Sequence, residues 1–153
     1  MSIEEFDVLF EEIKNVTGLV DVGYHEIRDG RLNPVYKTGT DTLGLKKWKS
    51  THAQHPVFIK DTEILRQIVS NRQSVAVNDV KTDRLSADAF FLFGLDSILV
   101  VPVVVGDVIT GIYCIGSIGK QHNFSEEEVI KCEELINASK QKIPYGEGVK
   151  IEV

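Results

Sequence analysis

The first segment of the chain shows the apolar pattern of an amphipathic helix. Large apolar side chains recur at helical spacing between residues 3 and 16, and the acidic side chains between them fall on the opposite face. Ser2, followed three residues later by Glu5, has the sequence of a capping box, in which each residue satisfies a backbone donor of the other. Gly18 is well placed to end the helix.

Strand patterns follow this helix. Residues 20–28 and 32–38 are strand-like, and Asp29-Gly30 between them is a strong signal for a tight hairpin. Residues 39–54 are mostly polar and show no clear period, and Trp48 is the largest apolar side chain among them. A short strand, a helix and another short strand are predicted at 57–60, 62–71 and 74–77. A polar run then ends in an aromatic cluster at residues 90–93.

The clearest element is a long hairpin over residues 97–117. Its two-residue turn, Gly106-Asp107, suits a type II′ turn and fixes the register of the two strands. This register places Ile98 and Val100 on one face with Tyr113, and Gly111 leaves room beside them. Because both faces are mostly apolar, we expect both to be covered, and the terminal helices supply only one cover.

A second capping box, Ser125 with Glu128, begins the last helix. Apolar positions recur at helical spacing from Val129 to Ile136, and Pro144 and the glycines after it end the pattern. The sequence therefore predicts one domain over residues 1–143 and a tail or linker stub over residues 144–153.

Composition narrows the class of protein. The chain has 153 residues, of which 42% are hydrophobic and 26% charged, with a formal net charge of −6. An acidic protein has no general field for phosphate backbones, so no nucleic-acid partner is expected. The weakly charged stretch 96–120 contains Pro102 and several glycines, so it is interpreted as strands, and no membrane partner is expected. The two cysteines lack CxxC or metal-ligand spacing, which favours a reducing, cytoplasmic location.

Five motifs, in order, resemble those of the GAF domain family of small-molecule sensors. They are QSVAVND (73–79), DR (83–84), GLDSILVVPV (94–103), GIY (111–113) and FSEEE (124–128). The resemblance implies an α+β, PAS-like fold with a central six-stranded antiparallel sheet. It further implies terminal helices on one face of the sheet, and loops with short helices over a ligand pocket on the other.

The expected function is a non-enzymatic, cytoplasmic sensory module that binds a small molecule. Its terminal helices would transmit the signal and form a homodimer, and its effector would be a kinase, a cyclase or a transcription factor. No catalytic constellation is recognised, no metal site is expected, and the sequence names no cofactor. Three alternatives stay open: a haem-binding sensor with His55 as axial ligand, a methionine sulfoxide reductase that uses Cys114, and a ligand-free interaction domain.

The residues expected to contact the ligand come from the loops and from one hairpin face. They are Trp48, His55, Phe58, Asp79, Phe91, Ile98, Val100 and Tyr113. Several have a plain structural alternative. Tyr113 is equally well explained as core against a terminal helix, Asp79 as the cap of a turn, and Phe91 as packing of the pocket roof. His52 and His55, three residues apart, are interpreted as surface loop histidines rather than metal ligands.

Overall fold

The structure, a computed structural model, describes residues 1–40 and 43–139 and the backbone of residues 149–150. The helices are α1 (Ile3–Thr17), α2 (Leu45–Gln54), α3 (Glu63–Asn71), α4 (Asp88–Leu92) and α5 (Glu126–Ser139), with a single 3₁₀ turn at Ile59–Asp61. The strands are β1 (Asp21–Arg28), β2 (Arg31–Lys37), β3 (Val75–Val77), β4 (Leu95–Val105), β5 (Val108–Ile118) and β6 (Val149–Lys150). Apart from β6, the predicted tail lies outside the described residues.

The central sheet is antiparallel and has five strands in the order β2-β1-β5-β4-β3. The expectation of a six-stranded central sheet is corrected to five. The sixth strand, β6, is a two-residue segment that pairs with Val108 and Ile109, at the start of β5 and off this order. The segment predicted as a strand at 57–60 makes only an isolated bridge, from Phe58 to Arg31, before it turns into the 3₁₀ helix.

Helices α1 and α5 cover one face of the sheet. Both predicted capping boxes are formed: the backbone N–H of Glu5 donates to Ser2 Oγ at 3.1 Å, and that of Glu128 donates to Ser125 Oγ at 3.1 Å. The core under these helices is built from Phe6, Leu9, Phe10, Ile13, Val22, Tyr24, Leu99, Val101, Val103, Tyr113, Ile115, Phe124, Cys132 and Ile136. This face has the cover that the sequence assigned to the terminal helices.

The opposite face is covered by α3, α4 and the 3₁₀ turn. Their apolar residues form a second core with side chains from all five strands of the central sheet and with Val80. This core consists of Ile27, Leu32, Ile59, Ile64, Leu65, Ile68, Val77, Val80, Phe90, Ile98, Val100, Ile109 and Ile112. The long hairpin is therefore buried on both faces, as its uninterrupted apolar pattern predicts.

The register of the hairpin differs from the predicted one. Val104 pairs with Ile109, but Val103 pairs with Gly111, so Thr110 is an extra residue on β5. Such a β-bulge reverses the face of every later side chain on its strand. Tyr113 consequently lies on the helix face, and the prediction that it shares a face with Ile98 and Val100 is wrong. Ile112 and Cys114 take that place.

Gly111 also has a different role from the one expected of it. A Cβ atom at this position would lie 2.6 Å from the carbonyl oxygen of His25 and 2.7 Å from the hydroxyl of Tyr24. The space beside Gly111 is thus filled by β1 and its Tyr24 side chain, and it is not open to a ligand. The glycine permits the close approach of β1 to β5.

We expect Gly111→Ala to destabilise the domain by about 1–3 kcal/mol, because the added methyl group meets backbone that cannot move aside cheaply. Gly39→Ala is the matched control, since a Cβ atom there meets nothing within 4 Å. Urea unfolding of the two variants measures the difference. Equal midpoints for Gly111→Ala and the parent protein would contradict the described pairing of β1 with β5.

Candidate functional site

A cavity of about 80 Å³ lies between the sheet and helices α2, α3 and α4. Its wall is predominantly aliphatic and aromatic, with side chains such as Leu65, Phe90 and Ile112. The acidic and basic residues that also line the cavity are Asp21, His25, Lys37 and His52. A cavity of this size holds a few water molecules or a very small organic molecule, whereas drug-sized ligands occupy pockets of about 300–1,000 Å³.

Helix α2 supplies the aromatic end of the cavity. Trp48 and His52 are four residues apart, so they share one face of the helix, and both are buried. The other positions are largely lysine and polar residues, which is why the sequence pattern gave no helix for this segment. Gly23 of β1 allows the contact, since a Cβ atom there would lie 3.0 Å from the Trp48 ring.

Two histidines meet inside this aromatic end. His25 Nε2 lies 3.1 Å from His52 Nε2, and the exposed fractions of the two side chains are 4% and 6%. The Trp48 ring packs edge-on against both imidazoles, and the Phe93 ring lies against His52 at a centroid distance of 4.9 Å. Neither Nδ1 atom has a hydrogen-bond partner among the described residues.

Burial keeps both imidazoles neutral near pH 7. Desolvation lowers the pKa of His25 well below its ordinary value, and the nearby His52 lowers it further. Desolvation likewise lowers the pKa of His52 to about 4. The two rings therefore form a neutral pair in which one Nε2 donates and the other accepts.

The ammonium group of the buried Lys37 makes three hydrogen bonds within the protein. Its Nζ donates to Asp21 Oδ1 at 3.2 Å, to the carbonyl oxygen of Thr38 at 2.7 Å and to that of Leu43 at 2.6 Å. Thr40 Oγ1 donates to the same Asp21 oxygen at 2.8 Å. Desolvation lowers the pKa of Lys37, and the attraction of Asp21 opposes that shift. With its three donors used, Lys37 ties the segment after β2 to the sheet and offers nothing to a charged ligand.

A second, outer cleft of about 810 Å³ lies next to the cavity. Val57, Thr62, Ala87 and Ala89 line both spaces, so these small and medium side chains form the partition between them. Polar and charged side chains make up most of the wall of the outer cleft.

The predicted ligand contacts divide among these places. Trp48, Ile98 and Val100 line the cavity, whereas His55 and Phe58 line the outer cleft. Their contact with a ligand stays a prediction. The remaining three, Asp79, Phe91 and Tyr113, line neither space.

Each of these three has a structural reason for its place. Asp79 Oδ1 accepts a hydrogen bond from the backbone N–H of Lys81 at 3.2 Å. Asp79 therefore caps a turn, which was the structural alternative to ligand contact. Phe91 is 55% exposed because the short helix α4 turns Phe90 and Phe93 inward and Phe91 outward. Tyr113 packs against Phe10 and Tyr24 on the helix face, as the bulge requires.

The interpretation of the histidines needs correction. His55, at the end of α2, is exposed as predicted, but His52 is a buried helix residue rather than a surface loop histidine. The sequence interpretation also missed His25, Lys37 and Asp21. One signal was present: Asp21, Gly23 and His25 alternate along β1, so polar side chains point towards one covered face of the sheet.

The two cysteines lie on opposite faces of the sheet. Cys114 lines the cavity, and burial raises the pKa of its thiol to about 12. Cys132, a residue of α5, is buried in the core between the terminal helices and the sheet, and desolvation raises the pKa of its thiol to about 11. Both are free thiols, and they cannot form a pair across the sheet. Among the described residues, no three histidine, cysteine or acidic side chains are grouped as metal ligands.

A family model described as "GAF domain" matches residues 3–136. The fold is similar to that of the GAF domain/HD domain protein from Geobacter sulfurreducens, with a TM-score of 0.74, 16% identity, and coverage of 90% of this chain and 88% of that one. It is also similar to the GAF domain of a two-component sensor histidine kinase from Bacillus halodurans, with a TM-score of 0.66, 17% identity and 94% coverage of each chain.

A further similar structure is a type II free methionine-R-sulfoxide reductase from Thermoplasma acidophilum, with a TM-score of 0.65, 19% identity, and coverage of 91% and 92%. At these identities the likeness shows the fold alone. No curated protein matches the sequence significantly. None of the helices in the described part of the chain combines the length and apolar character needed to cross a membrane.

The histidine pair makes stability depend on pH. Because both folded-state pKa values lie below the ordinary 6.5, the unfolded chain binds more protons than the folded one below that pH. We expect the free energy of unfolding to be at its full value above about pH 6.5 and to fall towards pH 5 by up to about 1.4 kcal/mol per pH unit for each histidine.

Chemical denaturation at several pH values between 7 and 5 measures this slope. The free energy of unfolding of the double variant His25→Leu/His52→Leu should change less with pH over the same range. His55→Gln, at an exposed position, is the control, and its free energy of unfolding should change with pH as that of the parent protein does. A double variant as acid-sensitive as the parent would contradict the buried, neutral state of the pair.

Proposed function

Because this chain belongs to the GAF domain family, we propose that it is a non-enzymatic sensory module whose cavity between the sheet and helices α2–α4 binds a small molecule. The observation that supports this proposal most directly is the cavity itself, which is lined mainly by apolar side chains and lies on the sheet face that the terminal helices do not cover.

The strand β1 provides a route from the cavity to the terminal helices. Gly23 and His25 face the cavity, while the intervening Tyr24 faces α1 and stacks on Phe6 at a centroid distance of 5.6 Å. A ligand that shifts His25 or Trp48 would therefore bias the packing of Tyr24 under α1. We place the output in the arrangement of α1 and α5, as a shift between two populated states of the domain.

The partner of this module would be a signalling effector such as a kinase, a cyclase or a transcription factor. Similar structures include the GAF domain of a sensor histidine kinase, which supports such a context. The free thiols of Cys114 and Cys132 support a reducing, cytoplasmic location.

Two alternative chemistries find little support in the site. A reductase needs a reactive thiolate, but Cys114 lies in an apolar wall where burial raises its pKa to about 12, and the second cysteine is across the sheet. A haem sensor with His55 as axial ligand would need that side chain in a large cavity. His55 instead lines the outer cleft, whose wall is mostly polar, and the apolar cavity, which it does not line, measures about 80 Å³.

Binding can be followed through Trp48, which is the only tryptophan of the chain and lines the cavity. Metabolites screened by thermal unfolding should include one that raises the melting temperature by about 5 °C or more at a hundredfold excess over its Kd, with a change in Trp48 fluorescence. Cys114→Leu adds bulk to the cavity wall and should abolish both responses.

Cys132→Val is the matched control, because the residue has the same type but lies on the opposite face. Its binding should equal that of the parent protein. If saturating screens give no response in the parent protein, the proposal fails and the ligand-free interaction domain is favoured. Binding that survives in Cys114→Leu would place the site elsewhere.

The terminal helices are the proposed surface for a homodimer. Ile3 and Val8 of α1 and Ile130 of α5 are large apolar side chains that are 59%, 59% and 46% exposed. Helices α1 and α5 contact each other, so we propose that these exposed side chains contribute to one surface that spans both helices.

We expect Val8→Glu, alone or with Ile130→Glu, to shift the protein from dimer to monomer in sedimentation velocity at micromolar concentration, because a charge at the interface loses its hydration. Val20→Glu, at a 45% exposed position outside both helices, is the control and should leave the dimer intact. A parent protein that is monomeric at all concentrations would rule out this surface.

A further inference from the structure

The inner surface of the cavity is almost entirely carbon and sulfur. Aliphatic and aromatic side chains from α3, α4, β4 and β5 form most of it, among them Leu65, Phe90, Ile98 and Ile112. Protein cores contain few voids larger than a water molecule, so a space of about 80 Å³ leaves the side chains around it without packing partners on one side. The wall therefore has unused contact surface that a guest molecule could fill.

The side chain of Cys114 shows that this space reaches the centre of the sheet. Cys114 lies in the middle of β5, where it pairs with Gly23 on one side and with Val100 on the other. Although both faces of the hairpin are covered, the Cys114 side chain keeps some accessible surface. Because the residue lines the cavity, this accessible surface belongs to the cavity.

The acidic and basic residues of the wall have few polar atoms left for a guest. Lys37 and Asp21 bind each other, and the other donors of Lys37 are used by backbone carbonyl groups of the segment after β2. His25 and His52 bind each other through their Nε2 atoms, and both Nδ1 atoms are themselves buried. A polar guest would lose its hydration and recover little of it through hydrogen bonds, and a charged guest would lose far more.

We propose that the cavity binds a compact, uncharged and apolar molecule, such as a short hydrocarbon, a small thioether or a five-membered ring without polar groups. This inference rests on the proposed function, because it names the chemical class of ligand for the same cavity. Removal of apolar surface from water and contact with the unfilled wall both favour such a guest. An engineered apolar cavity of about 150 Å³ stays dry and binds benzene or xenon, so a cavity of about 80 Å³ selects a smaller molecule.

The first test compares two probes that differ by one oxygen atom. Dimethyl sulfide and dimethyl sulfoxide have the same two methyl groups, but only the sulfoxide has a strongly hydrated oxygen. We expect dimethyl sulfide to shift the methyl signals of Ile98, Val100 and Ile112 in an NMR titration, and to bind about tenfold more tightly than dimethyl sulfoxide or better. Thiophene and pyrazole, two five-membered rings, should differ in the same direction. Equal affinities within both pairs would overturn the inference.

The second test makes the same substitution at two neighbouring residues. Val100→Ile adds one methylene group to the cavity wall, whereas Val101→Ile adds it to the packed core on the helix face. Because filling a cavity stabilises a protein and overpacking destabilises it, we expect the melting temperature to rise by about 2 °C in Val100→Ile and to fall in Val101→Ile. Val100→Ile should also weaken the binding of dimethyl sulfide by about tenfold. Val101→Ile should bind it as the parent protein does, and Cys132→Val is the binding control if Val101→Ile does not fold.

The outcomes separate this inference from the proposed function. If a polar metabolite gives a Trp48 response that Cys114→Leu abolishes, while dimethyl sulfide and thiophene do not bind, the cavity is a ligand site but the apolar class is wrong. Binding of dimethyl sulfide that is unchanged in Val100→Ile would place the probe outside the cavity and overturn the inference. An equal fall in the melting temperatures of Val100→Ile and Val101→Ile would show a wall without room for a guest, and would overturn it as well. If neither the probes nor any metabolite binds, the inference and the proposed function both fail.

Discussion

The pairing of β4 with β5 is the interaction on which the other features of this domain depend. Both strands are buried on both faces, so most of the apolar side chains along them belong to one of two cores. The extra residue Thr110 decides which core each side chain of β5 enters. It sends Tyr113 beneath α1 and places Ile112 and Cys114 in the cavity wall. A hairpin without the bulge would exchange these sets and close the cavity with a tyrosine.

The strand β1, which pairs with β5, shows the same division between the two faces of the sheet. Its alternation gives Val22 and Tyr24 to the helix core and Gly23 and His25 to the cavity. Gly111 allows β1 to approach β5 closely, and Gly23 admits the Trp48 ring. Contacts of the cavity and contacts of the terminal helices are therefore made by adjacent residues of one strand. This arrangement is the physical basis for proposing that occupancy of the cavity alters the helix packing.

The polar groups of the cavity are satisfied to different degrees. Lys37 and Asp21 form a closed set of hydrogen bonds that hold the segment after β2 against the sheet. The His25–His52 pair is satisfied only at Nε2, and each Nδ1 atom lacks a partner in the described residues. Buried polar groups in proteins are ordinarily paired, so the complete set stabilises the fold, whereas the incomplete histidine pair lowers its stability.

The sequence by itself determined the capped terminal helices, the long hairpin and the need for cover on both of its faces, because each follows from local capping chemistry or from the period of apolar residues. The family motifs determined the fold class in the same way. The sequence could not determine which face of the sheet Tyr113 occupies. A single bulged residue leaves the apolar pattern unchanged, but it reverses the face to which every later side chain of the strand points. The sequence also gave no indication of the helix α2. Its buried side chains are Trp48 and His52, and two positions among lysines and other polar residues are too few to produce a helical apolar pattern. The meeting of His25 with His52, 27 residues apart, was decided only by tertiary structure, because it depends on how α2 lies across β1.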